Sequence, residues 1–188
     1  MGCREHPDAT GAVFKLLGSG NELAQKAEEV VGNLYFANGI TFDRAETYMY
    51  VSESTMDRVL RFRVDVQKGT VSDREVYQTV YGPDNLAIDI DDNLWIASFF
   101  GNQVLAVDHT CQSVHKVFRA DSKSHTAFLG KWVKRSHLGL PRGELLTPNA
   151  HEPLPNFLTG VFFSPNSDTV YITGLGDVIL KYVISKDK

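Results

Sequence analysis

The chain has 188 residues, 43% hydrophobic and 22% charged, a globular composition long enough for a single domain that buries roughly 70% of its unfolded surface. Its formal net charge of −4 supplies no clustered cationic surface of the kind a phosphate backbone demands, so nucleic acid is not an expected partner. No stretch approaches the roughly 18 apolar residues of a membrane span, and the opening MGCREHPDATG lacks the apolar centre of a secretory signal, so a cytoplasmic protein is expected.

The first element is GAVFKLL at 11–17, whose alternation suits the third strand of a blade lacking its first two. The next stretch, NELAQKAEEVV, is ambiguous. Leu23, Ala24, Ala27, Val30 and Val31 share a helical stripe, while EEVVGNLYF suits a strand, and a short helical or turn segment running into a strand at Glu29 is expected. From Asn38 onward a unit recurs: NGITFDRAETYMYVSESTMDRVLRFRVD, then NLAIDIDDNLWIASFFGNQVLAVD from Asn85, then TGVFFSPNSDTVYITGLGDVILKYVIS from Thr159. Each copy holds a short apolar run, a polar turn, an aromatic or β-branched run, a second turn and a third alternating run, the signature of stacked four-stranded β-units. The strands are placed at 38–42, 48–53, 58–64 and 74–81, then 86–90, 94–99, 103–107 and 115–118, then 160–164, 169–173 and 178–184.

The chain is therefore read as all-β, a partial β-propeller of about three and a third blades in one domain. Residues 11–37 end an incomplete blade, 38–82 and 83–119 are blades, 120–157 are an insertion, and 158–185 begin a last blade. The insertion lacks alternation and is rich in Gly, Pro, His and basic residues, so it is read as a loop. Its Lys131, Lys134, Arg135 and Arg142 form a solvated cluster or an anion contact; Trp132, Leu138, Leu140 and Leu154 suit a lid or a packing arm. Cys3 and Cys111 match no zinc or redox spacing and are read as free thiols. His109, His115, His125, His137 and His151 show no ligand spacing and are read as surface polar residues.

Up-and-down blades bring their fourth-to-first connections out at one end of the ring. These connections carry YFAN at 35–38 and GPDN at 82–85, which sets Asn38, Asp84 and Asn85 at the mouth of the innermost strands. Each segment alone is a turn signal. Recurrence at equivalent positions adds a second reading, amide and carboxylate oxygens converging on a hard cation, since calcium takes about six to eight oxygens.

FANGITFD followed by YMYVSES and RVLRFRVD, then YGPDNLAIDIDDNLWIAS, resembles the superfamily of six-bladed calcium-dependent propellers that holds gluconolactonases, regucalcin, paraoxonases and strictosidine-synthase-like proteins. TGAVFKL and EEVVGNLYFANGI are similar to the strictosidine-synthase-like members in particular. The resemblance implies calcium, or another divalent cation, held by Asn38 with Asp84 or Asn85, and Asp84 as the base or nucleophile. It implies a funnel walled by Glu53, Ser54, Thr55, Phe99 and Phe100, although the two phenylalanines equally suit packing between blades. The implied function is calcium-dependent hydrolysis of a small lactone or ester, provided a missing N-terminal half of the ring is supplied. The alternatives are a non-catalytic fragment or a self-associating module that pairs as a homodimer. The last blade carries no Glu at 158–185, which departs from the strictosidine synthases and argues against their condensation chemistry.

Overall fold

The structure is a computed structural model and describes residues 9–18, 26–110, 113–120, 122–146, 157–166, 168–176 and 178–184. Its strands fall into four antiparallel sheets. The first pairs β1 (Gly11–Leu17) with β2 (Lys26–Leu34). The second runs β3 (Ala37–Phe42), β4 (Tyr48–Glu53), β5 (Arg58–Asp65) and β6 (Thr70–Thr79) in chain order. The third repeats this path with β7 (Pro83–Ile88), β8 (Leu94–Ser98), β9 (Gln103–Val107) and β10 (Val114–Arg119), and the fourth holds β11 (Leu158–Phe163), β12 (Thr169–Gly174) and β13 (Leu180–Val183). The inner strands β3, β7 and β11 lie side by side, so the sheets are successive blades of a partial propeller.

The repeated motif acts through two local rules. The residue closing each first apolar run caps the turn after it: Asp43 Oδ1 accepts from Tyr48 N at 2.8 Å, Asp89 Oδ1 from Asn93 N at 2.8 Å, and Ser164 Oγ from Thr169 N at 3.2 Å. The period-2 alternation of each middle strand then feeds two interfaces at once. Met49 and Val51 join Val31, Leu34, Leu60 and Phe62 toward the first sheet, whereas Tyr50 joins Val59, Leu86 and Ile96 toward the next blade. Trp95 and Ala97 face onward to Leu158, Val161 and Ile172. The two four-stranded blades thus have two buried faces each, which explains middle strands such as LWIAS that are buried at all five positions.

Several boundaries differ from the expected ones. β2 begins at Lys26 rather than Glu29, and β6 begins at Thr70 rather than Arg74; in both, polar residues of an outer strand mask the onset. The larger difference is in the insertion, which contains helix α1 (Lys123–His137) and a 3-10 turn at Gly143–Leu145. Ser122 caps α1 by accepting from His125 N at 3.0 Å. His125, Phe128 and Trp132 form its buried stripe, basic residues occupy its last turn, and Gly139 at φ 62° follows it. His125 is thus fully buried, with Nε2 3.1 Å from Phe100 O, and is not a surface residue. His109, His115 and His137 are exposed. Cys3, Cys111, His151 and Leu154 lie outside the described residues. Among the described residues no helix is long and apolar enough to cross a membrane.

Candidate functional site

The approach of β3 to β7 depends on Gly39. A Cβ there would lie 2.3 Å from Asp84 O and 2.7 Å from Asn85 Cα, closer than any side chain tolerates, so glycine is what lets the two inner strands meet. Two serines of the Ser52-Glu53-Ser54 run hold the meeting point. Ser52 Oγ donates to Asp84 O at 2.6 Å and accepts from Gly39 N at 2.7 Å. Ser54 Oγ donates to Pro83 O at 2.6 Å and accepts from Asn38 Nδ2 at 3.3 Å. Both serines are buried, so this network sets the positions of Asn38 and Asp84 from behind.

Asn38, Asp84 and Thr159, one from each inner strand, share the floor of a cavity of about 520 Å³. Burial pushes the Asp84 carboxyl up to about 6, against the opposing pull of hydrogen bonds from the Asn38 side chain and the Asn85 backbone. Asn85 is not on the floor. Its Nδ2 donates to Asp84 Oδ1 at 3.1 Å and to Thr159 O at 2.7 Å, so it ties the second blade to the third.

Phe99 and Phe100 wall the cavity, and Phe100 is also packed from behind. It presses on Gly82, where φ is 51° and an added Cβ would meet its ring at 2.0 Å, and it stacks on Trp132 with centroids 3.5 Å apart. Glu53 differs from the expected pocket wall. It is fully buried, accepts from Tyr35 N at 2.8 Å, and is paired with Arg58 and Arg74. It clamps β4 to its neighbours and does not line the cavity.

The sequence left the insertion open between a lid and a packing arm, with Trp132 and Leu140 among its residues, and did not single out Arg142 as its anchor. Trp132, Leu140, Pro141, Arg142 and Leu146 of the insertion close the cavity from above. Arg142 anchors them: Nη2 donates to Thr55 O at 2.7 Å, Nη1 lies 3.2 Å from Ser136 Oγ and 3.4 Å from Asp57 Oδ2, and the guanidinium sits 4.5 Å from the Trp132 ring centre. Asp57 also accepts from Gly82 N at 2.8 Å, and burial raises its carboxyl above the ordinary range. Arg135 pairs with Glu144 at 2.9 Å. Two members of the basic cluster therefore bind the insertion together instead of being solvated, and the available signals were the Ser122 cap and the 125/128/132 stripe.

Whether these residues suit a hard cation depends on Asp84. Its carboxyl is partly desolvated, and among the described residues no lysine or arginine pairs with it. The Asp84 carboxyl and the Asn38 amide share the floor, with Asn38 Nδ2 directed at Ser54 Oγ, residue types that fit part of a divalent cation's shell. Among the described residues no group of three or more His, Cys, Asp and Glu could hold a metal, so any such shell is rich in amides and open.

The family model for the SMP-30/Gluconolactonase/LRE-like region matches residues 1–135. The chain belongs to this family. It is 25% identical over 174 residues to an uncharacterized protein of Sulfolobus acidocaldarius, covering 89% of this chain and 49% of that one. It is 28% identical over 109 residues to regucalcin of Danio rerio, covering 54% and 35%, and 31% identical over 81 residues to the lactonase drp35 of Staphylococcus haemolyticus, covering 40% and 25%. The chain therefore spans about half the length, or less, of these relatives.

Among solved structures it is similar to the calcium-binding protein regucalcin of Agrobacterium tumefaciens, with TM-score 0.61, 14% identity, and coverage of 93% of this chain and 48% of that one. For a gluconolactonase of Xanthomonas campestris the values are 0.59, 18%, 86% and 42%. At such identities these likenesses speak for the fold, and they agree with a partial SMP-30/gluconolactonase-type propeller.

Proposed function

We propose that this SMP-30/gluconolactonase-like chain contributes the hydrolytic centre of a divalent-cation-dependent lactonase, completed by a further half-ring. The observation that carries the reading is the pairing of Asn38 with a partly desolvated Asp84 on the floor of a walled cavity. Family membership supports the reaction class, because named relatives include a lactonase and a gluconolactonase. Asn38 and Asp84 would hold the cation, which when bound would supply Lewis acidity to the lactone carbonyl.

The rest of the chemistry falls to the chain. Without a cation, burial pushes the Asp84 carboxyl up to about 6; a bound cation would favour its ionised form, and that carboxylate would take a proton from the water that attacks the acyl carbon and return it to the departing ring oxygen. Ser52 and Ser54 fix its backbone, and the aromatic walls keep bulk water from the reacting carbon. Lactone hydrolysis followed by pH-stat, with calcium present, tests this: Asp84→Asn should lose at least about a hundredfold in kcat/KM. Turnover within threefold of the parent would remove Asp84 from the mechanism.

A second reading, a self-associating or partner-bound module without turnover, rests on a different observation. Phe14 and Leu16 on β1 at one end, and Ile179 and Val183 around β13 at the other, are exposed apolar side chains at 55%, 70%, 68% and 61%. Light scattering decides whether a second copy covers them: self-association requires twice the monomer mass, and a monomer across the accessible concentration range rejects self-association.

A further inference from the structure

We infer that the cavity selects a lactone bearing an apolar alkyl or aryl substituent, in preference to a polyhydroxylated sugar lactone; the inference rests on the lactonase reading. It begins with the division of polar and apolar groups in the lining. The polar side chains of Asn38, Asp84 and Thr159 are all on the floor. Higher in the cavity the lining is Phe36, Phe99, Phe100, Trp132, Leu140 and Leu175.

The polar atoms of the wall and cap are engaged or buried: the Thr55 hydroxyl donates to Tyr35 O at 3.3 Å, and Trp132 Nε1 is buried. The Ser54 hydroxyl donates to Pro83 O and accepts from Asn38, and the Arg142 guanidinium is directed at Thr55 O, Asp57 and Ser136. A lactone carbonyl seated at the floor would therefore point its substituent into an aromatic and aliphatic chamber. Ring hydroxyls placed there would give up water without gaining partners, which disfavours binding by roughly tenfold for each one left unpaired. An alkyl chain would gain about threefold to fourfold per buried methylene.

Phe36 extends the apolar lining. Its φ of 52° belongs to the turn that enters each inner strand, since Gly82 at 51° and Phe157 at 48° hold the equivalent positions. Its ring is 61% exposed and stands at the cavity edge, where an apolar ligand would cover it.

Lactams give a test that does not need turnover. Trp132 lies on the cavity, while Trp95 is buried between blades, so tryptophan fluorescence reports occupancy, with Trp132→Phe as the control that abolishes the signal. The probes are 6-alkylpiperidin-2-ones of increasing chain length and gluconolactam. Expected are affinities that rise about threefold to fourfold per methylene, with gluconolactam at least tenfold weaker than the pentyl lactam. Phe36→Gly, which suits the backbone, should keep the parent Tm and weaken the pentyl lactam about tenfold. Gluconolactam binding as tightly as the pentyl lactam, affinities independent of chain length, or no lactam binding would each overturn the inference. Chain-length-dependent lactam binding without hydrolysis of any lactone would refute the lactonase reading alone; preferential hydrolysis of glucono-δ-lactone would refute the substrate class alone.

Discussion

At the scale of single residues, Asp84 ties stability to function. In the fold its carboxyl titrates near 6, against an ordinary value of 3.8. The folded chain thus keeps a proton that the unfolded chain releases, and stability is fully present below about pH 4 and falls as pH rises toward 6. Above that window the ionised group costs the cation-free fold on the order of 2 kcal/mol once solvent screening of a half-buried carboxylate is discounted. Asp84→Asn should accordingly raise the Tm of cation-free protein at pH 7 while leaving it little changed at pH 4, as differential scanning calorimetry would read. An equal shift at both pH values, or a loss at pH 7, would show that the carboxylate is not held at a cost.

Gly39 makes the complementary point. The Cβ of Gly39→Ala has no room against β7, so urea denaturation should show a loss of about 1–3 kcal/mol, accompanied by weaker cation binding as Asn38 and Asp84 separate. Unchanged stability would mean that β7 yields without strain. That Asn38 and Asp84 lie together at the mouth of the inner strands was legible as a recurrence at equivalent repeat positions. The role of Gly39, Ser52 and Ser54 was not, because a cross-blade contact leaves no local pattern. Glu53 was misread because its place after a middle strand matched a funnel wall, whereas Arg58 and Arg74 draw it into the sheet.

At the scale of elements, the strands were legible because each middle strand alternates between two apolar faces; Tyr48–Glu53 and Gln103–Val107 fall where the pattern puts them. Helix α1 was not. Its stripe of His125, Phe128 and Trp132 is short and interrupted by polar and basic residues, and its burial comes from the aromatic floor of Phe100 and Phe157 that only the fold assembles. The helix and the 140–146 segment are held over the cavity through Arg142. Arg142→Met keeps the apolar stem but removes the donors to Thr55 O and Asp57. It should raise amide exchange across 132–146 and raise KM more than it lowers kcat, with Tm nearly unchanged. Exchange equal to the parent would show that the Trp132–Phe100 stack alone holds the cap.

For the whole molecule, the site is assembled from three inner strands of a ring that this chain fills only in part, since it spans 48% of the length of the regucalcin whose fold it matches. The interfaces between its own blades are well filled: Leu94, Ile96, Val104, Leu158 and Val170 are almost wholly buried. The exposed apolar residues at both ends are the faces that the two proposed readings fill, with further blades or with a second copy. The floor of the cavity needs no residue from beyond the described chain to bring Asn38 to Asp84, so partial cation binding is expected even without a completed ring. The most direct test is a calorimetric calcium titration of the purified chain beside Asn38→Ala and Asp84→Asn. Saturable one-site binding that both substitutions abolish is the predicted result; no binding by the parent chain, or binding that survives both substitutions, would contradict a cation site at the cavity floor.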